Sequence, residues 1–506
     1  GIFDASAAEI VAHDPGTQQV YVVNGAQSRI DVIDANTGNF VTSIDSFSTF
    51  GGPNSVAVNN GVIAVAVENN ATQSNGRVYF YDTATGTEQS FADVGALPDM
   101  VTFTPAGDKV IVANEGEPND AYTVDPEGSV SVVDISGGVA TPSVTSIGFS
   151  DFNAGGSRAG DLPADVRIFG PNASVAQDLE PEYITVSPDG TRAYVTLQEN
   201  NAVAEVDLTS NTVTAIRAYG FKDHSDPANP LDASNRDDAI NIQNWPVLGM
   251  YQPDSIASYE VGGMVYTVTA NEGDSRDYGG FSEEARVEDL TLDPAVFTDP
   301  TLQNEENLGR LNITTTLGDT GNDGDYEALY AYGARSFSIW DETGALVFDS
   351  GSQFEEIIAG LGLTDSAGDP VFNANNDDQT SFDSRSDDKG PEPEAIAIGR
   401  IYGMTFAFIG LERIGGIMIY DITDPTNPGF INYVLGRDFG VADETSPAAG
   451  DLGPEGIYFV HKDDSPFGTF GLLVANEVSG TTTWYGIQVP IPAPLALFAA
   501  GLPLLM

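Results

Sequence analysis

Hydrophobic and polar positions alternate with a period of two in short runs that recur along nearly the whole chain. "NSVAVNNGVIAVAV", "YITVSPDGTRAYVTL" and "EAIAIGRIYGMTFAFIGL" each hold two such runs around a tight turn. That pattern predicts half-buried antiparallel strands, with "PDG", "PAGD" and "TATG" as turns. A repeating unit appears when the runs are aligned on their ends. It has P-[D/E/N], an alternating strand, a turn, a strand ending in Glu, a Gly-containing loop and a strand ending in Asp. An outer strand such as "NFVTSI" or "NTVTAI" follows. Repeated four-stranded units predict an all-β fold, a β-propeller. Seven units start near Glu9, Asn54, Asp99, Glu182, Asp254, Glu394 and Glu455. In the fifth, a long insertion parts "VYTVTANEG" from "RSFSIWD". As a blade of its own it would make eight, but it lacks the Pro-acid start, so seven blades are expected. The last unit ends at "TTWYGIQV" without an outer strand, and the N-terminal "GIFDAS" is expected to supply part of one.

The repeat places carboxylates in register. Antiparallel pairing puts the start of the innermost strand and the end of the second at the same edge of a sheet. The first position carries Glu9, Asn54, Asp99, Glu182, Asp254, Glu394 and Glu455. The second carries Glu68, Glu115, Glu199, Glu272, Glu412 and Glu477, with Gly25 in the first unit. A ring of carboxylates around one mouth of the central channel is therefore expected. Like charges converging on a channel raise one another's pKa and cost stability unless cations or donors balance them. Two balances are open: Ca²⁺ or another hard divalent ion held by the oxygens, or hydrogen bonds from backbone N–H groups and arginines of the next blade. Insertions at 151–178, 220–250, 274–333 and 352–390 belong to connections on the same side, where function in repeat folds tends to gather.

The insertions carry further candidates. "DTGNDGDYE" sets Asp319, Asp323, Asp325 and Glu327 around Gly324, close to an EF-hand-type calcium loop but with Gly321 and Tyr330 where acids would stand. His224 sits between Asp223 and Asp226 in "FKDHSDPANP" and is expected over the acidic mouth. With Arg276, Arg335, Arg385, Lys389 and Arg413 it offers scarce positive or neutral nitrogen near the rim, either to hold a phosphate or carboxylate or, for the cations, to pair with the ring. No G-x-S-x-G, P-loop or strand-borne G-x-G-x-x-G is present, so no catalytic residue is assigned.

Composition narrows the partners. There are 75 acidic against 19 basic residues, a net charge of −56, which repels nucleic acid and anionic membrane surfaces and suits a salty or calcium-rich medium. Cysteine is absent, which excludes disulfides and thiolate metal sites. The chain starts at Gly1 without a basic and apolar leader, as expected of a mature exported chain. Residues 1–488 are expected to form the propeller. Residues 489–506, "VPIPAPLALFAAGLPLLM", form an apolar, proline-interrupted tail, somewhat short of the about 20 residues of a spanning helix. It is expected to act as anchor, sorting segment or packing tail, and to provide any membrane contact or self-association.

"DLEPEYITVSPDGTRAYVTLQENNA", "ANEGDSRDY", "GARSFSIWD", "SFDSRSDDKGPEPE" and "FIGLERIGGIMIYD" together resemble the bacterial surface propellers called choice-of-anchor I proteins. The likeness runs through almost the whole chain. It implies an extracellular or cell-surface propeller of a kind often labelled alkaline phosphatase-like. It is similar in outline to phytase and esterase-like-phytase propellers, whose channel mouths bind Ca²⁺ and phosphate. The tail resembles the VPxPA variety of PEP-CTERM sorting segments, without the usual terminal Arg cluster. Two functions follow as expectations. One is a calcium-binding surface propeller acting in binding or extracellular assembly, as a filament or surface layer. The other is a metal-dependent phosphoesterase, with Glu115, Glu182, Glu272 and Glu394 holding metal and Arg276 or Arg385 neutralising phosphate.

Overall fold

Val62–Val67, "VIAVAV", explains the architecture at the smallest scale. Ile63, Val65 and Val67 pack into a core shared with the sheet before it. Ala64 and Ala66 pack with Val101, Val110 and Val112 of the sheet after it. A strand with two buried faces needs an unbroken apolar run, and each buried Val contributes about 1.5–3 kcal/mol. Stacking face to face in this way arranges sheets around an axis.

The computed structural model describes residues 2–488, so the tail expected at 489–506 lies outside the described residues. Among these residues there are nine sheets: six four-stranded, one three-stranded, one five-stranded and one two-stranded. The four- and three-stranded sheets follow one another along the chain as antiparallel meanders. Their first strands are Val11–Asp14, Pro53–Asn59, Pro98–Phe103, Ile184–Val186, Ile256–Val261, Pro393–Ile401 and Pro454–Val460. Each touches the next, and Pro454–Val460 touches Val11–Asp14, so the series closes into a propeller-like ring. The closing seam is apolar, with Val460, Leu473 and Trp484 against Val11, Val20 and Val22.

Two expectations change. "GIFDAS" does not complete the last sheet: Asp4 and Ser6 adopt left-handed backbone, with φ of 49° and 50°, which a strand does not accommodate. The Asp4 N–H instead donates to the Val478 carbonyl at 2.8 Å. The last sheet therefore has three strands among the described residues, Pro454–Val460, Phe470–Asn476 and Thr481–Ile487. The insertions, read as loops, carry structure of their own. Phe221–Asp223 and Leu248–Met250 join Glu284–Arg286, Asn312–Thr314 and Tyr330–Ala331 in the five-stranded sheet, over a core of Trp245, Val247, Leu308 and Ile313.

Candidate metal centre

The strand that ends in Asn-Glu is built to put its carboxylate on the rim. The Asn114 amide is fully buried and donates to Ser131 Oγ at 3.0 Å and to the Ser129 carbonyl at 3.1 Å, tying the second strand to the third. Asn271 does the same with Ser338 Oγ at 2.8 Å. The following Glu leaves the sheet, and its N–H is caught by the turn that opens the first strand: Glu68 by the Gly52 carbonyl, Glu115 by Leu97, Glu412 by Glu392 and Glu477 by Gly453. In three of these turns the accepting residue is left-handed and precedes a proline, with φ of 46° at Leu97, 49° at Glu392 and 68° at Gly453. The P-[D/E/N] signal is thus half of a clasp, and the strand-end Glu is the other half.

The clasps bring the carboxylates together. Glu9, Asn54, Asp99, Asp254 and Glu455 line one cavity of about 190 Å³ with Tyr183. Gly25 stands where the other sheets carry Glu, and a Cβ there would come within 3.1 Å of Glu9 Oε1. Burial, with Glu477 nearby, raises the Glu9 carboxyl to about 8. Burial and Glu117 raise Asp99 to about 7. Burial and surrounding carboxylates push Asp254, Glu394 and Glu455 well above the usual range.

Around this cavity carboxylates from second-strand ends and from the turns that open first strands form two triads of different kinds. In one, Glu272, Glu392 and Glu412 place oxygens within 4.8 Å of one another. Cations fill it: Lys389 lies 3.2 Å from Glu392 and also bonds Glu272, Arg385 is 2.7 Å from Glu392, and Arg413 is 2.9 Å from Glu392 and 3.0 Å from Glu412. Burial alone would raise Glu392, but Lys389, Arg385 and Arg413 hold it down at about 2. Glu412 is raised by burial to about 8, with Arg413 opposing. In the other triad, Glu115, Glu182 and Glu199 also lie within 4.8 Å of one another. No Lys or Arg among the described residues reaches ion-pair distance of them. The nearby Arg276, fully buried, is taken by Asp178 and by Glu180 at 2.6 Å. Glu182 Oε2 and Glu199 Oε2 are buried without any hydrogen-bond partner. Burial and neighbouring carboxylates push Glu115 and Glu182 well up, and burial brings Glu199 to about 8 despite Arg276. Buried polar atoms are seldom left unpaired, and hard carboxylate oxygens in this grouping fit a hard cation.

The remaining sequence candidates fall elsewhere. Asp319, Asp323 and Glu327 converge on the surface within 4.8 Å, but Asp319 accepts from the Asp323 and Gly324 N–H groups and Glu327 accepts from Thr320. Asp325 bonds Asp323, which raises its pKa, and stands outside that group. Glu477 accepts from Ser6 Oγ at 2.7 Å. Arg335 ties insertions together, donating to the Asp232, Ser386 and Asp388 carbonyls and to Glu355 at 2.8 Å. His224 is buried rather than set in an open loop; its Nδ1 is 2.8 Å from the Asn229 carbonyl, and burial, with Lys222 nearby, keeps its pKa well down. Sequence reading missed Asp178 and Glu180, which occupy Arg276. The acid spacing of "DLEPE" is their only signal.

The family model described as choice-of-anchor I domain matches residues 9–425. The chain belongs to the choice-of-anchor I family. The match covers the first six sheets of the ring but for the end of the sixth, and both triads. Among curated proteins, the chain is similar to Gigasin-3a of Magallana gigas, 29% identical over 208 residues, 38% of this chain and 71% of that one. It is also similar to the mesenchyme-specific cell surface glycoprotein of Strongylocentrotus purpuratus, 28% identical over 277 residues, 49% of this chain but only 35% of that longer protein. Solved structures that overlap it include Kuenenia stuttgartiensis hydrazine synthase, with 13% identity, TM-score 0.47 and coverage of 96% and 97%. Another is the Myceliophteria thermophila Cps50 (Swd1) β-propeller domain, with 7% identity, TM-score 0.45 and coverage of 96% and 99%. Overlaps this loose carry nothing about function. Among the described residues no helix is long and apolar enough to cross a membrane.

Proposed function

We propose that this protein is a surface-associated, seven-bladed propeller that holds Ca²⁺ at Glu115, Glu182 and Glu199 and acts outside the cell in binding or assembly. The observation that carries the reading is the pair of buried, unpartnered oxygens, Glu182 Oε2 and Glu199 Oε2, beside Glu115. Three carboxylates held this close either keep protons or share a cation, and a hard divalent ion is the natural partner for an all-oxygen set. The blade count rests on the six four-stranded sheets and one three-stranded sheet whose first strands close a ring. Surface association is supported by family membership and by the name of the sea-urchin relative. Binding stands ahead of phosphate-ester hydrolysis because Arg276, Arg335, Arg385, Lys389 and Arg413 are each engaged by carboxylates of the protein. A mouth with its cations engaged repels phosphate.

The test is calorimetric titration of Ca²⁺ into chelator-stripped protein, with melting temperature followed in parallel. At least one site and a rise in melting temperature are expected. Glu182→Gln with Glu199→Gln should abolish that site. An unchanged stoichiometry in the double variant would sink the assignment.

A further inference from the structure

Outside both triads, the 220–250 insertion is tied to the 352–390 insertion by a buried polar network. The Asp232 N–H donates to Glu355 Oε2 at 3.3 Å, and Asn373 Nδ2 donates to Glu355 Oε1 and to Ser386 Oγ, each at 2.8 Å. The Ser386 hydroxyl spends its hydrogen on Asp383, so its oxygen must accept from Asn373, which fixes the orientation of that amide. The amide oxygen is left over. Asn373 Oδ1, Asp383 Oδ2 and Asp237 Oδ2 are all buried atoms without a hydrogen-bond partner. Asn373 and Asp383 are only 0% and 2% exposed, so water does not serve them as it serves a surface carboxylate. Among the described residues no Lys or Arg reaches ion-pair distance of Asp232, Asp237 or Asp383, and the nearby Arg335 is paired with Glu355. Burial, then the charge of Asp232, with Asp237 and Glu355 adding, raises the Asp383 carboxyl to about 9. Burial raises Asp232 to about 7, the Asn241 N–H opposing. These acids therefore share one electrostatic neighbourhood that no internal cation fills.

We propose that Asp232, Asp237, Asn373 and Asp383 form a second site for a hard divalent cation, Ca²⁺ above all, which joins the two insertions. The donor set is all oxygen, with carboxylates and one amide carbonyl, as Ca²⁺ prefers. Asp237 is half-buried, so one side of the site is open to the waters that complete six to eight ligands. An ion held here would fix the 352–390 insertion, the segment that carries Arg385 and Lys389 to Glu392 in the filled triad. The site shares no residue with either triad, so the inference goes beyond the reading of the mouth and does not depend on it.

Hydrogen exchange at residues 232–241 and 372–386 tests it, measured on chelator-stripped full chain with and without added Ca²⁺. Ca²⁺ should slow exchange in both segments by about tenfold or more, in the parent chain and equally in the Glu182→Gln, Glu199→Gln double variant. Asp383→Asn keeps the size of the side chain and suits the left-handed φ of 63° there, and it should remove the slowing while Ca²⁺ binding at the mouth persists. If Asp383→Asn does not fold, Asp237→Asn, at a half-buried position, carries the comparison. No slowing by Ca²⁺ in the parent overturns the proposal, since protons then suffice to balance these acids. Slowing that survives in both Asp variants, or that vanishes in the double variant at the mouth, also overturns it. Local slowing in a chain whose mouth binds no Ca²⁺ would refute the reading of the mouth and uphold this one.

Discussion

Glu272, Glu392 and Glu412 on one side of the mouth and Glu115, Glu182 and Glu199 on the other have the same origin at sheet edges and the same close spacing, yet they solve the problem of like charge differently. The first triad draws on the 352–390 insertion, which supplies Arg385 and Lys389, and on Arg413 beside Glu412. The second has two buried arginines nearby, but Asp178 and Glu180 claim Arg276, and Arg167, which donates to the Glu199 carbonyl, is paired with Glu283. Closeness of acids alone therefore does not mark an ion site. What separates the triads is whether the protein's own cations have already filled them.

The largest expected effect comes from unpairing the filled triad. Lys389→Met leaves Glu272 and Glu392 short of a cation and should cost about 3–5 kcal/mol in denaturant unfolding, with or without Ca²⁺. If Lys389→Met instead becomes Ca²⁺-dependent for stability, the two triads are interchangeable and the contrast fails.

The pH response comes next. A carboxyl whose folded pKa exceeds its unfolded value binds its proton more tightly when folded. Its stabilising share is complete below the unfolded pKa, which is 4.5 for Glu9, and is lost as pH rises through the folded one. Glu9 and Glu199 at about 8 and Asp99 at about 7 therefore make ion-free protein less stable as pH climbs through this range. Thermal melts should fall by several degrees between about pH 5 and about pH 8. Saturating Ca²⁺ should flatten or reverse the trend, since its affinity grows as the ligands deprotonate. A flat ion-free profile would mean that the mouth carries no such load.

Smaller still, Glu182→Gln should weaken Ca²⁺ binding by about tenfold or more while leaving ion-free stability close to that of the parent, because the raised pKa of Glu182 already favours its neutral form when no ion is bound. The least effect belongs to Asp319→Asn, whose triad lies at the surface and already accepts backbone hydrogen bonds. Its melting temperature and Ca²⁺ stoichiometry should match those of the parent chain.

The ring was legible in the sequence because it is local: a strand with two buried faces shows as an apolar run of six or seven adjacent residues, and Pro-acid and Asn-Glu mark both halves of the clasp. Pairing of the cations with the ring was one of two readings of the sequence, but which triad they fill was not legible, because it depends on where insertions fold back. Lys389 and Glu272 are 117 positions apart, and Arg276 reaches Glu180 across 96. The insertion sheet escaped notice because its strands are two or three residues long, too short to show a period. The open edge of the last sheet was visible as a missing outer strand, but the left-handed residues Asp4 and Ser6 that keep the N-terminus from filling it carry no helpful signal.

The five-stranded sheet takes Leu248–Met250 from one insertion and pairs it in parallel with Tyr330–Ala331 from another, across the first two strands of the fifth ring sheet. In kinetic terms this is a late event. Its strands cannot meet until the ring sheet between them in sequence has bent the chain back, and contacts of such separation close slowly. Lys389 meets Glu392 locally, three positions on, but its pair with Glu272 spans 117 positions and belongs to the same class of long-range contacts. Wherever such long-range pairs close after the mouth, a medium rich in divalent ions would shorten the interval in which its charge stands uncompensated.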